Sequence, residues 1–278
     1  MSMDAISKMS LIELSRHFAY LQNSELCWQR LEHLILQQCK DNFVQATQSG
    51  QEVDAMSVWW QTCFELLSPH QIQICHVNYR DEYLELFNRG PAIIDLHGWK
   101  LCAGDRGQSL VFPRRTLIYP KEKLTIATSG HSSAPNFAST RPIWNNEGDC
   151  ATLLDPTWAE ISCWKYGTAA HSEVAISQVY YIRAKQKDHC DEYIEIANLG
   201  SAWIDLSGWC IQGDKSQHFE FHSGAVLRPQ GMVRVYTNVH SPQTGGFSFN
   251  SNQALWPQEG GQARLLDYRN RQVSEFNW

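Results

Sequence analysis

The chain writes one stretch of nineteen residues twice, and that duplication constrains its fold more than any other feature. Asp81-Glu-Tyr-Leu-Glu-Leu-Phe-Asn-Arg-Gly-Pro-Ala-Ile-Ile-Asp-Leu-His-Gly-Trp99 returns as Asp191-Glu-Tyr-Ile-Glu-Ile-Ala-Asn-Leu-Gly-Ser-Ala-Trp-Ile-Asp-Leu-Ser-Gly-Trp209. Twelve of the nineteen positions are identical. Two of the differences, Leu84/Ile194 and Leu86/Ile196, keep a bulky aliphatic in place. Solenoid repeats are shorter than the spacing between these copies, so the duplication is of domains.

The repeated stretch reads as a strand, a turn and a second strand. Leu84 and Leu86 flank Glu85, the period-two pattern of a half-buried strand. Asn88-Arg-Gly90 and Asn198-Leu-Gly200 are turn signals, because Asn and Gly tolerate positive φ. Asp95-Leu-His-Gly-Trp99 is a tight turn that returns the indole to the core. Trp99 and Trp209, with Trp144 and Trp256 later in each copy, are therefore expected to be core residues.

Residues 10–67 carry a different period. Ser10 and Glu13 form a capping box, and Leu11, Leu14, Phe18 and Leu21 line one helical face. Cys27, Trp28, Leu31, Leu34, Ile35 and Cys39 mark a second helix. Trp59, Trp60, Cys63, Phe64 and Leu67 mark a third, which Ser68-Pro69 ends. Such a unit holds more aromatic surface than it can bury alone, so residues 1–68 are expected to bind another protein or a second copy.

From Ile72 the period changes to two. Ile74 to Tyr79 and Ile176 to Tyr181 open the two β units, and a proline turn follows in each, at Pro120 and Pro229. Trp144-Asn-Asn-Glu-Gly and Trp256-Pro-Gln-Glu-Gly then lead into Ala151-Thr-Leu-Leu-Asp155 and Ala263-Arg-Leu-Leu-Asp267. Short strands with turn signals at this spacing spell antiparallel β-sandwiches. The expected architecture is mainly β: a small α-helical N-terminal unit (1–70) and two tandem sandwiches, 71–170 and 171–278.

The order of these motifs, from Asp-Glu-Tyr-[Leu/Ile]-Glu-[Leu/Ile]-x-Asn-x-Gly through Asp-Leu-x-Gly-Trp to Glu-Gly-x-x-Ala-x-Leu-Leu-Asp, resembles the lamin tail domain. The resemblance covers Ile72 to Tyr166 and Val174 to Trp278. It implies an immunoglobulin-like β-sandwich in each copy. It also implies an interaction module, contacting proteins and sometimes nucleic acid. No catalytic residue follows from it, because the shared motif is structural.

Composition narrows the function classes. Hydrophobic residues make up 43% and charged residues 19% of the 278, which describes a globular chain. No apolar run is long enough to span a membrane. The N-terminus lacks the layout of a secretory signal, and a cytoplasmic chain is expected. Nine scattered cysteines with no CxxC are expected to be reduced. The net charge is −6, and residues 1–70 hold four basic against eight acidic side chains, which disfavours nucleic acid.

Chemistry is sparse. Gly130-His-Ser-Ser133 reads as a loop tip. Cys75-His76 and His189-Cys190 are adjacent pairs, whose side chains point to opposite faces of a strand and make poor metal sites. Glu82, Glu85, Glu192 and Glu195 read as a solvated outer face that discourages edge pairing. No cofactor or metal is expected. The candidate partner-binding residues are Trp59 and Trp60, Arg114 and Arg115, and the Arg183, Lys185, Lys187 loop. The function this supports is a non-enzymatic scaffold or adaptor. A nucleic-acid-associated accessory subunit and an uncharacterised hydrolase are the alternatives.

Overall fold

A computed structural model describes residues 36–37, 39–42, 44–45, 58, 71–90, 93–104, 108–130, 135–181, 192–238 and 245–278. The capping box and most of the expected N-terminal helices lie outside the described residues. Those described between 36 and 58 are helical.

The chain divides into two compact units, residues 1–143 with 152–162, and 144–151 with 163–278. In the first unit β1 (Ile72–Asn78), β2 (Tyr83–Asn88) and β7 (Lys123–Ala127) form an antiparallel sheet with β2 in the middle. A short pair, β3 (Ile94–Asp95) and β6 (Leu117–Ile118), and a hairpin, β4 (Lys100–Ala103) with β5 (Ser109–Val111), complete the first copy of the repeat. The hairpin of β8 (Gly148–Leu154) and β9 (Glu160–Gly167) is split by the division, its tip counting with the first unit and its base with the second. A 3-10 helix over Thr168–Glu173 follows it.

The second unit repeats the plan. β10 (Val174–Tyr180), β11 (Tyr193–Asn198) and β16 (Met232–Tyr236) pair antiparallel, and β17 (Phe247–Ser248) joins β16 in parallel. β12 (Trp203–Asp205) pairs with β15 (Val226–Leu227) and runs parallel to β9. The facing sheet has the order β14 (His218–Glu220), β13 (Cys210–Gly213), β18 (Gln262–Leu266), β19 (Gln272–Asn277). Ile194, Ile196, Trp209, Ile211, Val235, Trp256 and Leu265 from these elements meet in one apolar core.

Trp99 and Trp209 have no exposed surface, and Trp144 and Trp256 are buried almost as fully. Each of the first pair is delivered by a turn in which its N–H donates to Leu96 O or Leu206 O at 2.9 Å. Gly98 (φ 79°) and Gly208 (φ 72°) supply the left-handed conformation that this turn requires. Asp95 and Asp205 accept from the N–H two residues ahead, His97 and Ser207.

The Asn-x-Gly signal works differently from the sequence expectation. Neither Asn88 nor Asn198 has positive φ. Both are buried, and each carboxamide oxygen accepts from the N–H of Gly90 or Gly200 at 2.9 Å. Their amide nitrogens donate to Ile118 O and to Ala202 O and Arg228 O. The glycines leave room for neighbouring side chains: a Cβ on Gly90 would lie 2.9 Å from Gln71 Cβ, and one on Gly200 would meet the Glu173 carboxylate.

The acidic residues also depart from expectation. Glu192 is 1% exposed and Glu195 7%. Glu192 Oε2 accepts from Thr237 Oγ1 at 3.2 Å and Leu255 N at 3.1 Å. Glu82 Oε2 does the same for Thr128 Oγ1 at 2.7 Å and Ile143 N at 2.9 Å. These carboxylates pin the segment after β16 or β7 to the start of β11 or β2. Glu85 pairs with Lys123 at 2.8 Å and Glu195 with Arg234 at 2.9 Å. Because β2 and β11 are bonded on both sides, they have no open edge for Glu85 and Glu195 to guard.

Candidate docking surface

The two copies are alike enough that their differences can be read position by position. The turn after β8 starts at Asp155, whose Oδ1 accepts from Thr157 N at 2.8 Å and Ala159 N at 3.1 Å. Its counterpart after β18 starts at Asp267, bonded in the same way to Arg269 N and Arg271 N. In both, the residue three places on donates back to the aspartate carbonyl and takes positive φ: Trp158 at 70° and Asn270 at 60°. Asn accepts that conformation at little cost, whereas a bulky aromatic is strained there.

A second position shows the same contrast. Gly224 (φ 83°) precedes Ala225 at the entry to β15, and Arg115 (φ 65°) precedes Thr116 at the entry to β6. The first copy thus holds an arginine where the second holds a glycine. Ala138 and Asn250 form a third such pair, but alanine displays nothing beyond its methyl group. Strained backbone tends to cluster at functional sites.

Trp158 and Arg115 both belong to the first unit. Trp158 is 64% exposed, and Lys100 Nζ lies 4.8 Å from its ring centroid. Lys100 pairs across β4 and β5 with Val111, which is 56% exposed. Gly98 N donates to Phe112 O at 3.0 Å, placing the Pro113-Arg114-Arg115 turn beside the Gly98 turn. Gly98 in turn faces the ring of Pro156. Lys100 thus lies between an exposed indole and an exposed valine, and the turn carrying Arg114 and Arg115 follows β5. In the second copy the matching residues are Asn270, Glu220, Cys210, Ser223 and Gly224, which present neither the indole nor the cations.

Of the residues singled out from the sequence, Arg114 and Arg115 are exposed in the turn before β6. Trp59, Trp60, Arg183, Lys185 and Lys187 lie outside the described residues, as do His131, Ser132, Ser133, His189 and Cys190. Trp158 escaped the sequence reading. Aligning Asp155 with Asp267 sets it against Asn270, and a tryptophan at an Asn turn position was the available signal.

The Cys75-His76 pair does not alternate as a regular strand would. The register of β1 against β2 shifts between Ile74 and His76, a bulge that turns Cys75 Sγ toward Glu85 O at 3.5 Å. Burial pushes the Cys75 thiol up to about 11, against the lowering pull of Lys123. Ser177 occupies the same bulge in the second copy and donates to Glu195 O at 3.2 Å. The position serves to tie the bulge down. Among the described residues no group of three His, Cys, Asp or Glu side chains is placed to hold a metal ion. A shallow cavity of about 210 Å³ in the second unit is lined by Asp214, Lys215, Trp256, Glu259 and Trp278 among others.

Each copy of the repeat is a β-sandwich of the immunoglobulin-like class, built from small sheets closed over buried tryptophans. The lamin tail domain model matches twice in tandem, over residues 67–168 and 167–278. The chain belongs to the lamin tail domain family. No curated protein matches it. Among solved structures it is similar to an exo-β-D-glucosaminidase CsxA, at 8% identity and a TM-score of 0.26, covering 80% of this chain and 28% of that one. It is also similar to the Amycolatopsis orientalis exo-chitosanase CsxA, at 8% identity and a TM-score of 0.25, covering 80% of this chain and 27% of that one.

Proposed function

We propose that the chain is a non-catalytic adaptor in which the first lamin tail domain captures an acidic protein surface. The observation that carries this reading is the paired departure at Trp158 and Arg115. There the first copy holds large side chains in left-handed turns that the second copy fills with Asn270 and Gly224. Trp and Arg are the side chains that most often anchor protein interfaces. Val111 adds apolar area, and Lys100 and Arg114 complete a cationic rim that favours carboxylates. The exposed Arg114 and Arg115 with the half-buried Lys100 make too small a footprint for the long phosphate track of a nucleic acid.

Photo-crosslinking from single positions in the full chain tests the reading. A photoreactive side chain at Val111 should give crosslinked protein adducts in native lysate that survive nuclease treatment and fade as salt is raised. The same group at Val226, an exposed position of the second unit, should give none of those adducts. Identical adducts from both positions, or nuclease-sensitive adducts from Val111, would overturn it.

A further inference from the structure

β8 and β9 lie side by side in one sheet, and each contributes a cysteine to the same face. Cys150 Sγ and Cys163 Sγ are 3.2 Å apart. A disulfide bond is about 2.05 Å long, so the sulfurs lie little more than about an ångström from bonding distance. The fold does not demand this pair. The matching residues of β18 and β19 are Gln262 and Glu275. The equivalence follows from Ser162 and Ser274, one residue earlier on β9 and β19. Each accepts from the first sheet of its copy, from Ile74 N or Ile176 N, at 3.0 Å.

The surroundings suit thiol chemistry. Lys165, two residues beyond Cys163 on β9, is paired with Glu173. Burial pulls its ammonium down, but Glu173 and the charges of both sulfurs hold it up. The lysine is therefore within electrostatic reach of both cysteines, and a nearby cation favours thiolate. Burial pushes the thiols of Cys75 and Cys210 up. Cys150 is partly exposed and Cys163 buried, which gives the two sulfurs different roles.

We propose that Cys150 and Cys163 are a reversible thiol–disulfide site whose co-reactant is a small-molecule disulfide of the glutathione type. The exposed Cys150, as thiolate, attacks one sulfur of the co-reactant. This forms a mixed disulfide and expels one small thiolate, which takes up the proton that Cys150 released. Cys163 then loses its proton, and its sulfur attacks Cys150 Sγ and expels the second small thiolate, which that proton neutralises. The balance is two cysteine thiols oxidised to one disulfide and one small disulfide reduced to two small thiols. The bond closes a loop through the β8–β9 hairpin, which carries Trp158 at its turn.

The experiment uses the full chain equilibrated in glutathione buffers running from fully reduced to fully oxidised. Thiols are then blocked and the chain mapped by peptide mass spectrometry. The expected product is a Cys150–Cys163 crosslinked peptide, two hydrogens lighter than the reduced pair and reversed by excess glutathione. The Cys163→Ser variant should instead accumulate a glutathione adduct on Cys150. If that variant does not fold, mapping of the native chain still decides. Cys150 and Cys163 both alkylated at the oxidised end, or either joined to a different cysteine, would overturn the proposal.

Discussion

Trp158 shows how a single residue carries functional information that a repeat otherwise hides. Its turn forms because Asp155 caps it, and the same turn in the second copy is content with Asn270. Replacing Trp158 by Asn, or Arg115 by Gly, removes a left-handed residue that is strained by its Cβ. Each change is expected to stabilise the chain by about 1 kcal/mol, less the cation–π contact with Lys100 for Trp158, itself about 0.5–1 kcal/mol. Urea unfolding of the two variants checks this: R115G should gain clearly and W158N at most slightly. A loss of more than about 1 kcal/mol in R115G would show that Arg115 makes stabilising contacts. Glu192 is the opposite case. Its period-two position suggested a wet face, yet it is buried on Thr237 and Leu255, 45 and 63 residues away. A local pattern carries no information about partners so distant. Glu192→Ala leaves those donors unpaired and is expected to lose about 1–3 kcal/mol for each buried group orphaned, measured by denaturant midpoint.

Strands and turns were the legible level. The alternation of Leu84 and Leu86, the proline turns and the Asp-Leu-x-Gly-Trp returns all correspond to observed elements, because burial on one sheet face writes itself directly into period two. Sheet order was not legible. The placement of β2 and β11 as central strands depends on β7 and β16, which lie far along the chain. The bulges at Cys75 and Ser177 likewise break an alternation that sequence alone assumes to be regular. The turn at Asp267 has a measurable consequence. Burial pushes its carboxyl up, but the N–H groups of Arg271 and Arg269, the Arg271 guanidinium and His171 together hold it below its ordinary 3.8. The stability that this contributes is therefore full above 3.8 and lost as pH falls through the lowered native value. Between the two values the unfolded chain binds more protons. Asp267→Asn should flatten that acid limb of a stability–pH curve, and an unchanged limb would remove Asp267 from the account. At the core, Trp209→Ala is expected to cost about 3–5 kcal/mol, read from the same unfolding measurements.

At the scale of the whole molecule, the duplication made the architecture readable while concealing what separates the copies. Matching residues between repeats draws the eye to Asp155 and Asp267, not to the unmatched position three residues later. The proposed interaction surface draws on those unmatched positions: Trp158, Arg115, Lys100 and Val111 against Asn270, Gly224, Cys210 and Glu220. Two domains of one fold thus differ at this turn: the first bears Trp158 against Lys100, and the second bears Tyr268 with Arg269 and Arg271 paired to Glu147. The most direct measurement is affinity capture from native lysate by the full chain and by the double variant R115G/W158N, quantified by mass spectrometry. The partners held by the native chain should fall by about tenfold or more on the variant, as loss of an interface anchor implies. Retention of the same partners in the same amounts would contradict it.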